Sequence, residues 1–365
     1  MPAPGVVVED ELRLLGRDEV GLKAPSSCAH LRRASCAPMK RTGRIKALLA
    51  AALALTVIAA LLGSEAAQPK PVAPLPSASV VPASRSSHLA VIVMENKGYR
   101  QIIGNPQAPY INELASRYAL ATHFFAVTHP SLPNYLAMTS GSTLGVRSDT
   151  VGTNIDGPNL LTQLSRAGMS WKAYLAGVPS SCYLADKAPG YTRALNPFAY
   201  IEGITQNRQR CRNLVPLAHL GTDLRRGTLP AFSWITPSLC MDTHFCPVGA
   251  GDHFLSKLVP PLLRGLGPHG ALFILWDEGT SNKGCCGSSG GGHVPALVVG
   301  PDVRPGDRIT TPLDTYAALR TFESGFGLPP LGHARSVPAD GLGSAFSQKK
   351  LVLDPDGRAP QRAPA

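Results

Sequence analysis

The sequence has few aromatic and few charged residues, at 6% and 16% of its 365 positions. So few aromatic side chains argue against a surface built to stack nucleic-acid bases. The low charge, together with an ordinary apolar content of 44%, excludes a disordered, collagen-like or coiled-coil chain. No internal repeat is evident, and a chain of this length can bury a sizeable core.

Beyond residue 66 a run of basic residues is also missing, although Lys and Arg outnumber Asp and Glu there by 26 to 18. The basic residues are scattered rather than gathered in a stripe. This distribution predicts a mildly cationic surface with a modest attraction to anionic lipid or phosphate. We therefore expect no nucleic-acid partner, and we keep peripheral contact with a membrane as an open possibility.

One long apolar run stands near the amino terminus. Residues 47–63 are apolar except for Thr56, follow a basic stretch that begins at Met39, and precede small residues around Ala66. This order is typical of a secretory signal peptide over 39–66, and an uncleaved membrane anchor is the alternative. Either interpretation predicts a protein that is secreted or held at the cell surface.

The composition divides the rest of the chain into segments. Residues 1–38 form either a cytoplasmic leader or an extension ahead of the true start at Met39. Residues 67–86 are rich in Pro, Ala and Ser, which predicts a flexible linker. We expect the folded domain over 87–353 and a disordered tail over 354–365.

Cysteines in the expected exported body are even in number, so disulfides are the default. They are Cys182, Cys211, Cys240, Cys246, Cys285 and Cys286. Proximity pairs the first with the second and the third with the fourth. The last two are adjacent, and they could bridge each other, pair elsewhere or stay free.

Short apolar runs alternate with stretches of helical periodicity. The apolar runs are 89–94, 231–235, 271–276 and 296–299, and the helical stretches are 110–118 and 161–167. Runs that are apolar on both faces suit central parallel strands covered by helices. We expect an α/β fold with a mostly parallel central sheet and helices on both faces. The stretches 178–212 and 279–292 are predicted to be long irregular loops.

Acidic and amide side chains follow two of these predicted strands. Glu95 and Asn96 follow the first strand, and Asp277 and Glu278 follow the run 271–276. In open α/β sheets ligands bind at the carboxyl ends of the strands. Adjacent carboxylates repel unless a cation or a buried donor joins them. An all-oxygen set of this kind favours a hard divalent cation such as Mg²⁺, Ca²⁺ or Mn²⁺, although the first pair alone fits an exposed Glu with a turn Asn.

Two prolines shape the segment 128–141, which reads THPSLPNYLAMTSG. Pro133 suits the first turn of a helix, so Ser131 would lie beside the free backbone N–H groups that attract phosphate. A hydroxyl there, next to a cation that lowers its pKa, could attack phosphorus. The alternative is that Ser131 only caps the helix.

A further pair lies between two of the cysteines. Asp242 and His244 are two residues apart, so an extended backbone would point both side chains the same way. A Cys240–Cys246 bridge would keep that loop rigid. His293 follows two glycines before the last apolar run, and a single loop histidine is a weak signal by itself.

Seven motifs in one order, over about 89–331, resemble the bacterial secreted phosphoesterases, which include acid phosphatases and phospholipase C-type enzymes in the alkaline-phosphatase-like superfamily. The motifs are VIVMEN at 91–96, HPSLPNYLA at 129–137, ITPSLCMDTH at 235–244, GD at 251–252, WDEG at 276–279, GGH at 291–293 and RTFESGFGLPPLG at 320–332. The resemblance implies an alkaline-phosphatase-like fold and makes 87–353 the phosphoesterase domain.

Roles for individual residues follow from the resemblance. The implied metal ligands are Glu95, Asn96, Asp277 and Glu278. Ser131 falls at the nucleophile position. His129 and His244 are implied to be catalytic, and one of them protonates the leaving alcohol; with Asn134 they contact the phosphate or donate to its oxygens. Asn134 and His293 are the implied substrate-binding residues. Asp242, with two of these histidines, resembles the second metal site of the superfamily, so one or two ions of Mg, Ca, Mn or Zn are expected.

The implied activity is that of a metal-dependent acid phosphatase that forms a phosphoseryl intermediate. A phospholipase C-like phosphodiesterase acting on lipid headgroups is the alternative enzyme, and an inactive exported binding protein is the alternative of another class. A sulfatase is disfavoured because its Cys or Ser before Pro-Ser-Arg is absent. Leu195 stands where relatives usually have histidine, and Thr315 where many have it. The loss of a histidine at 195 predicts a changed substrate preference or pH optimum with the core chemistry retained.

Overall fold

The computed structural model describes residues 87–150, 152, 154–288, 290–338, 340–348, 351 and 353. The predicted leader, signal peptide, linker and tail therefore lie outside the described residues. Within those ranges no helix is both long enough and apolar enough to cross a membrane.

Strands and helices alternate along the described chain, as the apolar pattern predicts. The strands are β1 (Leu89–Met94), β2 (Ala119–Phe125), β3 (Trp171–Leu175), β4 (Lys187–Ala188), β5 (Tyr191–Thr192), β6 (Leu214–Pro216), β7 (Phe232–Thr236), β8 (Ala271–Trp276), β9 (His293–Val299), β10 (Arg308–Ile309) and β11 (Leu313–Asp314). The helices are α1 (Tyr99–Ile102), α2 (Pro109–Arg117), α3 (Ser131–Ser140), α4 (Leu160–Arg166), α5 (Glu202–Thr205), α6 (Arg208–Cys211), α7 (Ala218–Arg226), α8 (Val248–Leu266) and α9 (Thr315–Gly325).

The central sheet has the strand order β10-β2-β9-β8-β1-β7-β3-β6, and β11 also pairs with β2. β1 is parallel to β7 and β8. Helices flank this sheet; α2 packs against α8, and α3 packs against α9. All side chains of β1 and β8 are buried, which explains why these two strands are apolar throughout. The expected α/β fold with a mostly parallel sheet is confirmed.

One predicted strand runs against expectation. β9 contains the apolar run 296–299 and is antiparallel to both β2 and β8. Its apolar residues are buried like those of its parallel neighbours. The apolar run therefore predicted burial on both faces correctly. Burial on both faces does not determine whether a strand is parallel or antiparallel to its neighbours.

The stretch 178–212, predicted to be irregular, contains short regular elements. The strands β4 and β5 form an antiparallel hairpin, and α5 and α6 follow it. Disulfides join Cys182 to Cys211 and Cys240 to Cys246, so both pairings predicted from proximity are confirmed. The adjacent cysteines 285 and 286, left open by the sequence, are bonded to each other.

A buried carboxyl group in α9 makes the stability of the fold depend on pH. Glu323 accepts a hydrogen bond on Oε1 from the backbone N–H of Leu331 at 2.8 Å. Its Oε2 is buried and has no hydrogen-bond partner within the described ranges. Burial raises the pKa of Glu323 from 4.5 to about 8. The group is therefore protonated in the folded protein under conditions in which the unfolded chain ionises it.

We expect the substitution Glu323→Gln to flatten the pH dependence of stability. Because the folded pKa is raised, the stabilising contribution of Glu323 is complete below about pH 4.5 and is lost progressively as the pH rises to about 8. Glutamine keeps the acceptor for Leu331 but does not titrate. Urea unfolding at several pH values in this window measures the free energy of unfolding. The prediction would be contradicted if the free energy of unfolding changed equally with pH in the wild type and in the Glu323→Gln variant.

Candidate active site

Polar segments meet at the carboxyl edge of the central sheet. β1, β7 and β8 are parallel, so the segments after them begin at one edge. β2 points the same way, because it is antiparallel to β9 and β9 is antiparallel to β8. The segment after β2 leads to Ser131, while Glu95 follows β1 and Asp277 follows β8. The strand order thus brings residues from distant parts of the chain together.

Ser131 is the first residue of α3, and Pro130 precedes it as the capping residue. Ser131 is therefore not the capping residue of the helix. Its Oγ instead donates to Glu95 Oε2 at 3.1 Å and lies 3.4 Å from Glu278 Oε1. The alternative interpretation of Ser131 as a helix cap does not match this geometry. The hydroxyl points at two carboxylates that can accept its proton.

Glu95 is completely buried and lies at the centre of this cluster. The hydroxyl of Tyr135 donates to its Oε1 at 2.7 Å, and Asn96 Nδ2 donates to its Oε2 at 2.9 Å. Burial, followed by the negative charge of Asp242, raises the pKa of Glu95 well above its usual value. Tyr135 was not among the predicted site residues. Its spacing of four residues from Ser131, on the same face of α3, was the available signal.

Asp277 is also completely buried. Its Oδ1 accepts a hydrogen bond from the backbone N–H of Asn96 at 3.1 Å, whereas its Oδ2 is buried without a hydrogen bond in the described part of the chain. Burial and the charges of Glu95 and Glu278 raise the pKa of Asp277 well above its usual value, and nearby donors only partly offset this effect. The described surroundings of Asp277 therefore leave the negative charge of its carboxylate poorly compensated.

Glu278 links the serine to a histidine. Its Oε2 lies 2.5 Å from Nδ1 of His129, and its Oε1 is the atom near Ser131. Nε2 of His129 lies 3.2 Å from the carbonyl oxygen of Ser281, which can only accept, so Nε2 carries a hydrogen. Burial raises the pKa of Glu278, and the contact with His129 partly lowers it. A proton is thus held between Glu278 and His129, beside Ser131.

The segment with Asp242 and His244 is a tight turn, so our assumption of an extended backbone is wrong. Thr243 has a φ of 78°, a left-handed conformation that is unusual for a β-branched residue. Its Oγ1 donates to the carbonyl of Glu95 at 2.9 Å, and Asp242 Oδ1 accepts from the backbone N–H of His244 at 2.7 Å. These hydrogen bonds hold the turn against β1.

His244 is placed beside the carboxylate cluster by that turn. Its Nδ1 lies 3.2 Å from Glu95 Oε2 and 2.9 Å from Asn96 Nδ2. Burial, with the positive charge of Lys97, lowers the pKa of His244. The imidazole is therefore biased toward its neutral form and can accept a proton.

The other two predicted substrate contacts have different surroundings. The side-chain amide of Asn134 is hydrogen-bonded to the segment ahead of α3. Its oxygen accepts from the backbone N–H groups of Val127 and Thr128, and its nitrogen donates to the carbonyls of Thr128 and Pro130. It therefore braces the approach to Ser131.

His293 lies in an aromatic stack. Its ring centroid is 4.5 Å from that of Tyr99, and its Nε2 donates to the carbonyl of Thr122 at 2.8 Å. Phe125 stacks on it as well. These partners are aromatic rings and a backbone carbonyl, and no hydrogen bond among the described residues joins the His293 side chain to Ser131 or its carboxylates.

A cavity of about 420 Å³ opens onto Ser131 and His244. Its other lining residues include Asp149, Lys187, Arg193 and Leu195. Asp149 Oδ1 accepts the backbone N–H of Leu132 at 2.8 Å, so a carboxylate occupies the first turn of α3 beside the serine. Asp149, Lys187 and Arg193 were not among the predicted site residues, because no motif singles them out. The departure at Leu195 lies in this cavity wall.

The match to the phosphoesterase family model covers residues 104–329, more than half of the chain. Over 256 residues the chain is 30% identical to a phosphatidylinositol-3-phosphatase of Mycobacterium tuberculosis, covering 69% of this chain and 81% of that protein. It is 25% identical over 235 residues to a phosphate-repressible acid phosphatase of Penicillium chrysogenum, covering 61% of this chain but only 55% of that protein.

Solved structures that are similar to this chain include a protein in the alkaline phosphatase superfamily from Vibrio parahaemolyticus. It has a TM-score of 0.47 and 16% identity, and the match covers 72% of this chain and 73% of that one. The family model and the relatives confirm the resemblance carried by the motifs. The chain belongs to the phosphoesterase family, whose members are hydrolases of phosphoric ester bonds.

Proposed function

We propose that this protein is an exported, metal-dependent phosphatase of the acid phosphatase type that hydrolyses phosphate monoesters through Ser131. The observation that carries the proposal is the position of the Ser131 hydroxyl, at the amino end of α3 and within reach of the buried carboxylates of Glu95 and Glu278. Relatives named as acid phosphatases and as a phosphatidylinositol phosphatase support a phosphate monoester as the substrate. Export rests on the sequence alone.

In the proposed first step, the Ser131 hydroxyl transfers its proton to a neighbouring carboxylate, and Oγ forms a bond to phosphorus. The bond from phosphorus to the ester oxygen breaks, which leaves a phosphoserine. Backbone N–H groups at the start of α3 stabilise the developing negative charge. Asp149 accepts one of these groups, from Leu132, so the phosphate competes with this carboxylate for the same donor.

The pair of His129 and Glu278 holds a proton next to Ser131 and supplies it to the leaving alcohol. His244 lines the cavity as the neutral imidazole, which can accept a proton. In the second step water attacks the phosphoserine, the bond from phosphorus to Oγ breaks, and inorganic phosphate leaves. A residue that donated a proton in the first step accepts one from water in the second.

The carboxylate cluster fits a divalent cation in its chemistry, although no three carboxylate, imidazole or thiolate groups in the described ranges form a complete metal cage. Asp277 Oδ2 is buried without a hydrogen bond, and burial with mutual repulsion raises the pKa values of Glu95 and Asp277. Glu95 and Asp277 would hold the ion, with Asn96 and Glu278 beside them. When bound, the cation supplies positive charge that lowers the pKa of the serine hydroxyl and offsets the charge of the phosphate.

Turnover of two soluble esters tests this proposal. We expect the purified protein to hydrolyse p-nitrophenyl phosphate at least about tenfold faster, in kcat/KM, than bis(p-nitrophenyl) phosphate. The reason is that a monoester presents the terminal oxygens that the start of α3 can bind, whereas a diester replaces one of them with an organic group. A preference for the diester would favour the phospholipase C-like alternative. Hydrolysis of neither ester by metal-loaded protein would favour the inactive binding protein.

A further inference from the structure

An exposed aromatic side chain lies next to His244, one of the residues that line the cavity. Phe245 is 74% exposed, and it is the large apolar side chain that the described surface leaves open to water. It lies in the loop closed by the Cys240–Cys246 disulfide, and its backbone N–H donates to the carbonyl of Leu239 at 3.0 Å. Because the disulfide and this hydrogen bond restrain the loop, the ring is held out into solvent.

The position of Phe245 connects it to the active site on both sides. Its ring centroid lies 4.2 Å from that of His244, which lines the cavity together with Ser131. On the other side, the backbone N–H of Leu239 donates to the carbonyl of Gly190 at 3.3 Å. That contact joins the loop to the hairpin of β4 and β5, and the hairpin carries Lys187. The loop and the hairpin thus form one continuous rim.

Two lysines belong to this rim: Lys187 lines the cavity with Leu239 and His244, and Lys97 contacts the backbone of His244. Lys187 is exposed and makes no ion pair within the described ranges, in contrast to Arg193, which is paired with Asp186. Lys97 Nζ lies 3.5 Å from the carbonyl oxygens of Asn96 and of His244, the residue that precedes Phe245. Lys97 has no carboxylate partner within the described ranges. The rim therefore combines an apolar ring with positive charge.

We infer that this rim, formed by Phe245, Lys97 and Lys187, docks the active site onto an anionic lipid bilayer, so that the phosphate monoester it hydrolyses is carried on a lipid headgroup. This inference rests on the proposed function. An aromatic ring partitions into the membrane interface, and lysines beside it pair with anionic headgroups. A protein partner fits less well, because one exposed ring is far smaller than the apolar centre of a stable protein interface.

Variants at the rim test the inference on vesicles of phosphatidylcholine with a minor fraction of phosphatidylserine. Phosphatidylinositol 3-phosphate embedded in them is the substrate, and p-nitrophenyl phosphate is the soluble reference. We expect Phe245→Ser to lower vesicle cosedimentation and the rate on the embedded lipid at least about fivefold, while kcat/KM for the soluble ester stays within about twofold. Phe245→Trp should keep both vesicle properties, because tryptophan also suits the interface.

Charge substitutions distinguish the rim from general electrostatics. Lys187→Ala is expected to weaken cosedimentation with the anionic vesicles, and less so at high salt. Arg226→Ala is the matched control, because Arg226 is exposed at the end of α7 just before β7 begins, at the opposite edge of the sheet. It should leave cosedimentation unchanged.

Several results would overturn the inference. The inference is overturned if wild-type protein does not cosediment with anionic vesicles. It is also overturned if the Phe245→Ser variant acts on the embedded lipid like wild type. An equal loss on the soluble ester would make Phe245 a substrate contact instead. Cosedimentation with vesicles that lack the substrate lipid tests the surface even if neither ester is hydrolysed, so failure of the proposed function is separately visible.

Discussion

Replacement of Ser131 by alanine is expected to lower kcat for p-nitrophenyl phosphate by about 10³-fold or more. The substitution removes the oxygen that forms the bond to phosphorus, while the carboxylates of Glu95 and Glu278 remain in place. Helix α3 should be unaffected, because Pro130 is its capping residue and the Ser131 hydroxyl bonds to carboxylates instead. Steady-state kinetics measures the loss. Acid quenching followed by peptide mass spectrometry should find phosphate on residue 131 of the wild-type protein alone.

Ser140→Ala is a matched control for this prediction. Ser140 is the last residue of the same helix, and its hydroxyl is buried without a hydrogen-bond partner in the described part of the chain. Its removal deletes an oxygen of the same kind far from the carboxylates and should leave kcat within about twofold of wild type. A Ser131→Ala protein that keeps more than about a tenth of the wild-type kcat would rule out Ser131 as the nucleophile.

The substitution Asp277→Asn is expected to abolish activity and yet to stabilise the protein when divalent ions are absent. Burial, followed by the negative charges of Glu95 and Glu278, raises the pKa of Asp277, so one fewer acid relieves a cost of folding. Asparagine keeps an acceptor for the backbone N–H of Asn96. Thermal unfolding in EDTA should show a melting temperature a few degrees above wild type.

Divalent ions should reverse that order of stability. A ligand that binds only the folded state raises the melting temperature, so Mg²⁺, Ca²⁺, Mn²⁺ or Zn²⁺ should stabilise EDTA-treated wild type and restore its activity. Asp277→Asn should show neither response. Asp302→Asn is the control, since Asp302 is half-exposed and pairs with His269 just before β8, at the opposite edge of the sheet. Full wild-type activity after chelation, with a melting temperature indifferent to every ion, would show that these carboxylates have a structural role only.

The parts of the site that could be predicted from sequence lie next to strand ends or helix starts. The apolar runs that became β1 and β8 predicted where Glu95 and Asp277 leave the sheet, because a buried strand leads directly to the residue after it. The prolines around Ser131 predicted a helix start for the same local reason. Proximity was enough to predict two disulfides.

Other parts could not be predicted, because they depend on contacts between distant segments. Asp149 reaches the backbone of Leu132 from a loop with no recognisable motif. His293 lies in a stack with Tyr99, a residue almost two hundred positions earlier in the chain, which no local pattern indicates. The turn at Thr243 depends on a hydrogen bond to Glu95, so an assumption of extended backbone was bound to fail there.

The sequence by itself determined the α/β class, the family and the chemical types at each strand end, since these follow from apolar periodicity and from short motifs. Only the tertiary structure decided that β9 runs antiparallel, that Glu278 joins Ser131 to His129, and that Phe245 stands exposed beside the cavity. The physical reason is range. Periodicity and helix capping act over a few residues, whereas strand direction, buried charge clusters and exposed rings are set by which distant segments pack together.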